Sequence, residues 1–259
     1  MALSVEALTK RWPNGSLALQ DISFAASPGQ IVALIGPSGA GKTTLLRVIA
    51  GLEPYHEGNL NGLAGSVGMV FQQPSLWPHL TLLENVALPL YVIRGVQRAE
   101  ARRLATEALS RWGLASRFSA YPAALSGGEQ QRGAIVRTLM LKPGVLCLDE
   151  VTSALDPEIT SEILLQILEL KDTETIVLLS THQLAFARQS ADLVLFLDGG
   201  KVVEQGSPIS VLDDPRELRT RQFVTKAHQL YAGFGEGSPG TQPPITPVAY
   251  QISDLETAV

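Results

Sequence analysis

The sequence predicts an α/β fold with a mostly parallel central sheet, and three observations carry that prediction. Short apolar runs such as "IVALIG" (31–36), "VLCLD" (145–149) and "TIVLLS" (175–180) have the length and composition of strands buried on both faces. Helical patterns such as "TTLLRVIAGL" (43–52) alternate with them, as crossovers between parallel strands require. The stretch from 73 to 125 carries helical patterns but no buried-strand run, which points to a helical subdomain inserted in the α/β core.

Taken in order, "IVALIG" ends at a glycine, and the helix that follows closes near Gly51. "VGMVFQ" (67–72) is a second strand candidate. "RAEARRLATEALSRW" (98–112) is alanine-rich and sets Leu104, Ala108 and Trp112 at i, i+4 spacing, the stripe of an amphipathic helix. Another helix starts at Ser126, runs through Ile135 and Leu139, and must stop by "KPG" (142–144). After the strands at 145 and 175, "DLVLFLDGGKVVEQG" (192–206) supplies two more with Gly199-Gly200 as the hairpin turn. The expected division is one domain over 1–226, with the helical subdomain at about 73–140, and an extension over 227–259. The extension's "GEGSPGTQPPITP" is Gly/Pro-rich and expected to be partly flexible.

Composition narrows the function classes. A net charge of −5 argues against nucleic acid as a direct partner, because phosphate backbones attract basic surfaces. Cys147 is the only cysteine, which excludes an intrachain disulfide framework and a cysteine-rich zinc site, and suits a reducing compartment. The four histidines are scattered without metal-ligand spacing. The start "MALSVEALTKRW" lacks signal-peptide character, and no apolar run reaches the 18 or so residues of a membrane span, so a membrane connection is expected to run through a partner.

The chemistry is concentrated in a few motifs. "GPSGAGKT" (36–43) fills every position of G-x-x-x-x-G-K-[ST] between a predicted strand and a predicted helix, and so predicts a P-loop NTPase core. The candidate nucleotide cradle comprises Gly36, Pro37, Ser38, Gly39, Ala40, Gly41, Lys42, Thr43 and Thr44. Backbone amides and the helix N-terminus face the phosphates of ATP, Lys42 reaches them, and the Thr43 hydroxyl suits Mg²⁺. Asp149 and Glu150 end a buried strand in two carboxylates, one suited to Mg²⁺ and the other to accepting a proton from water. His182 and Gln72 each follow a strand, where they can sense the γ phosphate and complete the Mg²⁺ shell.

"LSGGEQQR" (125–132) raises a separate question. Ser126 and Glu129 form an S-x-x-E capping box, but adjacent glycines in a first helical turn cost up to about 1 kcal/mol each against alanine. Gly127 and Gly128 therefore suggest that something approaches the backbone there. A helix start with bare amides suits an anion, and the cradle at 36–44 already serves one phosphate. The economical inference is a second copy, its γ phosphate meeting this segment.

With these motifs in this order, residues 3–226 resemble the nucleotide-binding subunits of ATP-binding cassette (ABC) transporters. The resemblance implies that "GPSGAGKT" is the Walker A motif, "LSGGEQQR" the signature and "VLCLDE" Walker B. It makes Gln72 the Q-loop glutamine, Asp156 the D-loop aspartate, His182 the switch histidine and Trp12 the aromatic that stacks on adenine. It also implies an antiparallel β region and a dimer with a second copy of the same or a homologous subunit. A multi-span membrane permease would dock near residues 72–90, with an extracytoplasmic solute-binding protein in the assembled system and this chain on the cytoplasmic side of the membrane. Two departures stand out: Val151 replaces the usual proline after Glu150, and the segment 59–72 is short. Both leave the phosphate contacts in place. "TSALDP" and "GKVVEQGSP" look most like bacterial importers of polar amino acids, whereas "ENVALPL" (84–90) looks more like other importers or lipoprotein-type exporters. Soluble non-transport members normally add a long insertion or a second cassette, and a small-molecule kinase has no use for "LSGGE".

Overall fold

The computed structural model describes residues 2–63, 67–153 and 155–232. In chain order its first half runs β1 (Leu3–Arg11), β2 (Leu17–Ala26), β3 (Ile31–Ile35), α1 (Lys42–Ile49), β4 (Glu57–Asn61), β5 (Val67–Val70), α2 (Leu82–Ile93) and α3 (Arg98–Arg111). The second half runs α4 (Gly127–Leu139), β6 (Val145–Asp149), α5 (Pro157–Leu168), β7 (Ile176–Ser180), α6 (Leu184–Ser190), β8 (Leu193–Asp198), β9 (Lys201–Gly206) and α7 (Leu218–Ala232). Residues 227–232, expected to open the extension, continue α7, and the Gly/Pro-rich stretch beyond Phe234 lies outside the described residues.

The central sheet has the order β5-β6-β7-β3-β8-β9, parallel throughout except for β9, which returns antiparallel to β8 across the Gly199-Gly200 turn. Both faces of its middle strands are covered, and the alternation of side chains assigns each residue to a core. Val145 and Cys147 of β6 join Ile176 and Leu178 of β7 in a core that also holds Leu45, Leu46 and Ile49 of α1. Leu146 and Leu148 point the other way, into the core shared with α2, α3, α4 and α5. That parity puts Asp149 on the α1 side, which matters for the site.

The antiparallel β region is larger than the pattern at 59–72 indicates. Strands β2, β1 and β4 form a separate antiparallel sheet in that order. The alternation that would reveal β1 and β2 in the sequence is broken by register shifts. Ala7 and Asp21, with φ of 49° and 52°, each reset the phase, so Leu3 and Val5 are followed in the core by Leu8, and Leu19 by Ile22.

In the helical subdomain, Thr81 and Glu84 form a capping box that starts α2. Buried Asn85 then takes a bond from the Trp77 amide at 2.7 Å and donates to the Trp77, Leu80 and Thr81 carbonyls at 3.1 Å, fixing the loop that enters the helix. The stripe of α3 differs from expectation. Ala101, Ala105 and Leu109 are fully buried, while Leu104, Ala108 and Trp112 flank them half-buried. Two alanines at the centre let α3 lie close to its neighbours, and the larger residues seal the sides.

Candidate functional site

The site begins where β3 ends. A Cβ at Gly36, whose φ is +143°, would lie 2.1 Å from the carbonyl oxygen of Leu197 on β8, so only glycine passes there. The chain then turns through exposed Ser38 and Gly39 to buried Ala40, whose amide bonds the Pro37 oxygen at 3.2 Å. It enters α1 at Lys42, where the first-turn amides have no intrahelical acceptors and favour an anion. Lys42 is buried, its Nζ donating to the Gly36 oxygen at 2.9 Å and the Pro37 oxygen at 3.2 Å. Burial draws its pKa down, against the opposing charge of Glu150, whose Oε1 is 3.7 Å away.

Facing this loop is the end of β6. Asp149 points toward α1, and the Thr43 hydroxyl donates to its Oδ1 at 2.9 Å. In the next residue the backbone enters the left-handed region, with φ of +47° at Glu150. The Glu150 carboxylate reaches His182 Nε2 at 2.9 Å as well as Lys42. Val151, which stands where the family usually has proline, is buried in the core beside α4 and α5, so its side chain anchors the turn. Gln72 is exposed, and its Nε2 donates to the Ser153 hydroxyl at 3.0 Å.

The phosphate-loop residues, Gln72 and Glu150 line one open groove of about 490 Å³, with Asp149 and His182 bonded to Thr43 and Glu150 of that lining. Its lining comprises Ser38–Thr44, Gln72 and Glu150 together with Trp12, Leu17 and Ala18. The indole is 37% exposed, enough to offer a ring face to a flat ligand. Buried Lys10 holds it in place, with Nζ 4.7 Å from the ring centroid and bonded to Glu53 Oε2 at 3.0 Å and the Pro54 oxygen at 2.8 Å.

The segment Ser126–Glu129 and Asp156 do not line this groove. They sit at the N-termini of α4 and α5, which pack together. Ser126 accepts from the Glu129 amide at 3.2 Å and Glu129 from the Ser126 amide at 2.7 Å, completing the expected capping box. Burial works to raise the Glu129 pKa, but the Ser126 amide and the Arg117 guanidinium, at 2.7 Å, outweigh it and hold the group below the usual range. Asp156 caps α5 through the Ile159 amide at 3.0 Å. The two glycines then separate. A Cβ on Gly128 would meet Ile159 Cγ2 at 2.5 Å, so this glycine is required for α4 to approach α5 within one chain. A Cβ on exposed Gly127 would meet only Leu155 Cδ2, at an ordinary 3.6 Å, which leaves Gly127 without a packing reason.

One polar residue at the site is not signalled by any motif in the sequence. Ser180, fully buried, donates to Asp149 Oδ1 at 2.8 Å and accepts from the Glu150 amide at 2.9 Å. Only the pairing of β6 with β7, which sets Asp149 opposite Ser180, reveals it.

The donor set fits Mg²⁺. Thr43 and Asp149 present hard oxygens to one point, and among the described residues no group of three or more His, Cys, Asp or Glu forms a closed metal cage. Mg²⁺ ordinarily takes one or two protein oxygens together with phosphate and water.

The fold and this groove define a P-loop NTPase. Residues 19–153 match the family model described as "ABC transporter". The chain is similar to the L-cystine transport system ATP-binding protein TcyN of Escherichia coli (strain K12), 40% identical over 245 residues that cover 87% of this chain and 98% of that protein. It is 42% identical to the glutamate transport ATP-binding protein GluA of Corynebacterium glutamicum, over 81% of this chain and 92% of that one. Among solved structures, the dimeric post-hydrolysis state of the ATP-binding cassette MJ0796 bound to ADP and Pi aligns with a TM-score of 0.73 and 32% identity, over 80% of this chain and 98% of that one. The chain belongs to the ABC transporter family and is its ATP-binding, ATP-hydrolysing subunit.

Proposed function

We propose that this subunit, paired with a second copy and docked on a membrane permease, uses Mg·ATP hydrolysis to drive uptake of a polar amino acid. The observation that carries the nucleotide chemistry is the convergence of Lys42, Thr43, Asp149, Glu150 and His182 through direct contacts, with Lys42, Thr43 and Glu150 lining one groove. Trp12 stacks on adenine, and the loop from Gly36 to Thr44 binds the phosphates. Thr43, Asp149 and Gln72 hold Mg²⁺, which when bound draws charge from the phosphate oxygens. Glu150 accepts the proton of the attacking water, and His182, bonded to the same carboxylate, orients it.

The amino-acid cargo rests on the relatives, whose names cover cystine, glutamate and glutamine transport at 38–42% identity. Two matching structures of the MJ0796 cassette are dimeric, which supports the pairing. Among the described residues no helix is long and apolar enough to cross a membrane. Membership of the ABC transporter family supports a permease as the path, with this subunit peripheral on its cytoplasmic side and a solute-binding protein serving the other. Exposed Trp77 lies within the proposed docking segment 72–90, and exposed Val92 and Ile93 lie just beyond it. Co-expression with a candidate multi-span permease, followed by uptake of radiolabelled cystine, glutamate and glutamine, tests the cargo. Uptake of none of these, together with ATP-dependent uptake of a chemically unrelated solute, would refute it.

Two variants address the nucleotide site. Lys42→Ala removes a buried ammonium from the loop and is expected to abolish detectable ATP binding in calorimetry, with the fold retained by circular dichroism. Unchanged affinity would remove this loop from the assignment. Trp12→Ala is expected to weaken ATP by about 1 to 3 kcal/mol, the scale of base–aromatic stacking. Because Trp12 is at the surface, its loss should leave the melting temperature almost unchanged, and wild-type affinity in the variant would show the indole to be a lid over Lys10 and nothing more.

A further inference from the structure

We propose that Ser180 is a positioning residue of the hydrolytic site, using one hydroxyl to set both the metal-binding carboxylate of Asp149 and the backbone that aims Glu150. The inference rests on the nucleotide reading above. Its ground is the complete use of a single buried group. The Ser180 proton goes to Asp149 Oδ1 at 2.8 Å, and its oxygen accepts the Glu150 amide at 2.9 Å. The same amide lies 3.2 Å from the Ser180 carbonyl, so β7 grips the end of β6 with main chain and side chain together.

Each half of that grip has a consequence. Asp149 Oδ1 also accepts from Thr43 at 2.9 Å, so hydroxyls from β7 and from α1 pin one carboxylate oxygen and fix the rotation of the group. For a small ion that demands near-ideal octahedral geometry, a carboxylate free to turn is a poorer ligand. At Glu150 the chain adopts φ of +47°, a conformation that costs a non-glycine residue free energy and persists only where its surroundings hold it. The two bonds to the Glu150 amide supply that hold, and the carboxylate is thereby carried to His182 and Lys42.

A serine that merely satisfied a buried aspartate would affect stability alone, so the test reads metal dependence. In a Glu150→Gln background, which slows turnover, ATP binding is measured by calorimetry with Mg²⁺ and with EDTA. Ser180→Ala is expected to leave affinity in EDTA unchanged and to reduce the Mg²⁺-dependent gain about tenfold, the lower end of what lost support to a metal ligand costs. With Glu150 intact, kcat is expected to fall while KM in EDTA-free buffer rises only by the metal effect. Ser180→Cys preserves volume in this closed site with a weaker donor, and is expected to change in the same direction by less. Wild-type Mg²⁺ dependence in a folded Ser180→Ala or Ser180→Cys protein overturns the proposal, even if the melting temperature falls. Asp149→Asn separates the two levels: retention of the Mg²⁺ gain there overturns the metal assignment and this proposal with it, whereas loss in Asp149→Asn without loss at Ser180 overturns only the positioning role.

Discussion

Glu150→Gln is expected to bind ATP with near wild-type affinity, to lose roughly a hundred- to ten-thousand-fold in turnover, and to collect as an ATP-bound dimer. That range is what a positioned general base contributes. The substitution keeps the size of the side chain and its hydrogen bond toward His182, so the strained turn at 150 should survive. Lys42 loses one ion-pair partner at 3.7 Å but keeps the Gly36 and Pro37 carbonyls and the charge of Asp149, so the phosphate loop should stay formed. Single-turnover hydrolysis and sedimentation in Mg·ATP measure the two consequences. His182→Ala is the necessary companion, because the two side chains share one hydrogen bond. If His182→Ala lost far more activity than Glu150→Gln, the imidazole and not the carboxylate would be the base.

Much of this site is legible along the chain because the phosphate loop is local. Gly36 to Thr44, the strand before them and the helix after them lie within a few turns of one another, and their spacing encodes the geometry. Asp149 and Glu150 are legible for a similar reason, as polar residues ending an apolar strand. What escapes is whatever depends on register between distant segments. Ser180 looks like the end of an apolar run until β7 is laid beside β6 and its hydroxyl meets Asp149. Gly128 looks like half of an anion site until Ile159, 31 residues later, packs on it. Strands β1 and β2 escape because bulges at Ala7 and Asp21 reset the period-two signal within each strand. In α3 the buried line of Ala101, Ala105 and Leu109 lies one residue out of phase with the bulkier Leu104 and Trp112, since helix proximity selects small residues at the centre of the contact.

The division of labour between the two glycines leads to the most discriminating variant. Gly127→Asp, placed in the Glu150→Gln background, is expected to bind ATP normally and to remain monomeric. Gly128 is the wrong residue for this purpose, because any side chain there collides with Ile159 inside the same subunit and confounds association with misfolding. At Gly127 the new Cβ meets only an ordinary contact with Leu155, and φ is outside the left-handed region. An aspartate at the first position of α4 even interacts favourably with the helix dipole, by a fraction of a kcal/mol at low ionic strength, so the isolated subunit should be no less stable. The charge becomes harmful only if a second subunit brings its γ phosphate to this helix start. At an effective dielectric of about 20, unit charges roughly 4 Å apart repel by about 4 kcal/mol, enough for about a thousandfold loss of association. Gly127→Asn, with the same shape and no charge, should recover part of the dimer, and added salt should recover little once the interface excludes water. The measurement is sedimentation at saturating Mg·ATP, with ADP as the state that should not dimerise, after calorimetry has shown equal nucleotide affinity. A Gly127→Asp protein that dimerises as well as its parent would mean that no phosphate approaches this helix, and Ser126, Gly127 and Glu129 would be left as the start of a helix whose one necessary glycine, Gly128, serves Ile159 alone.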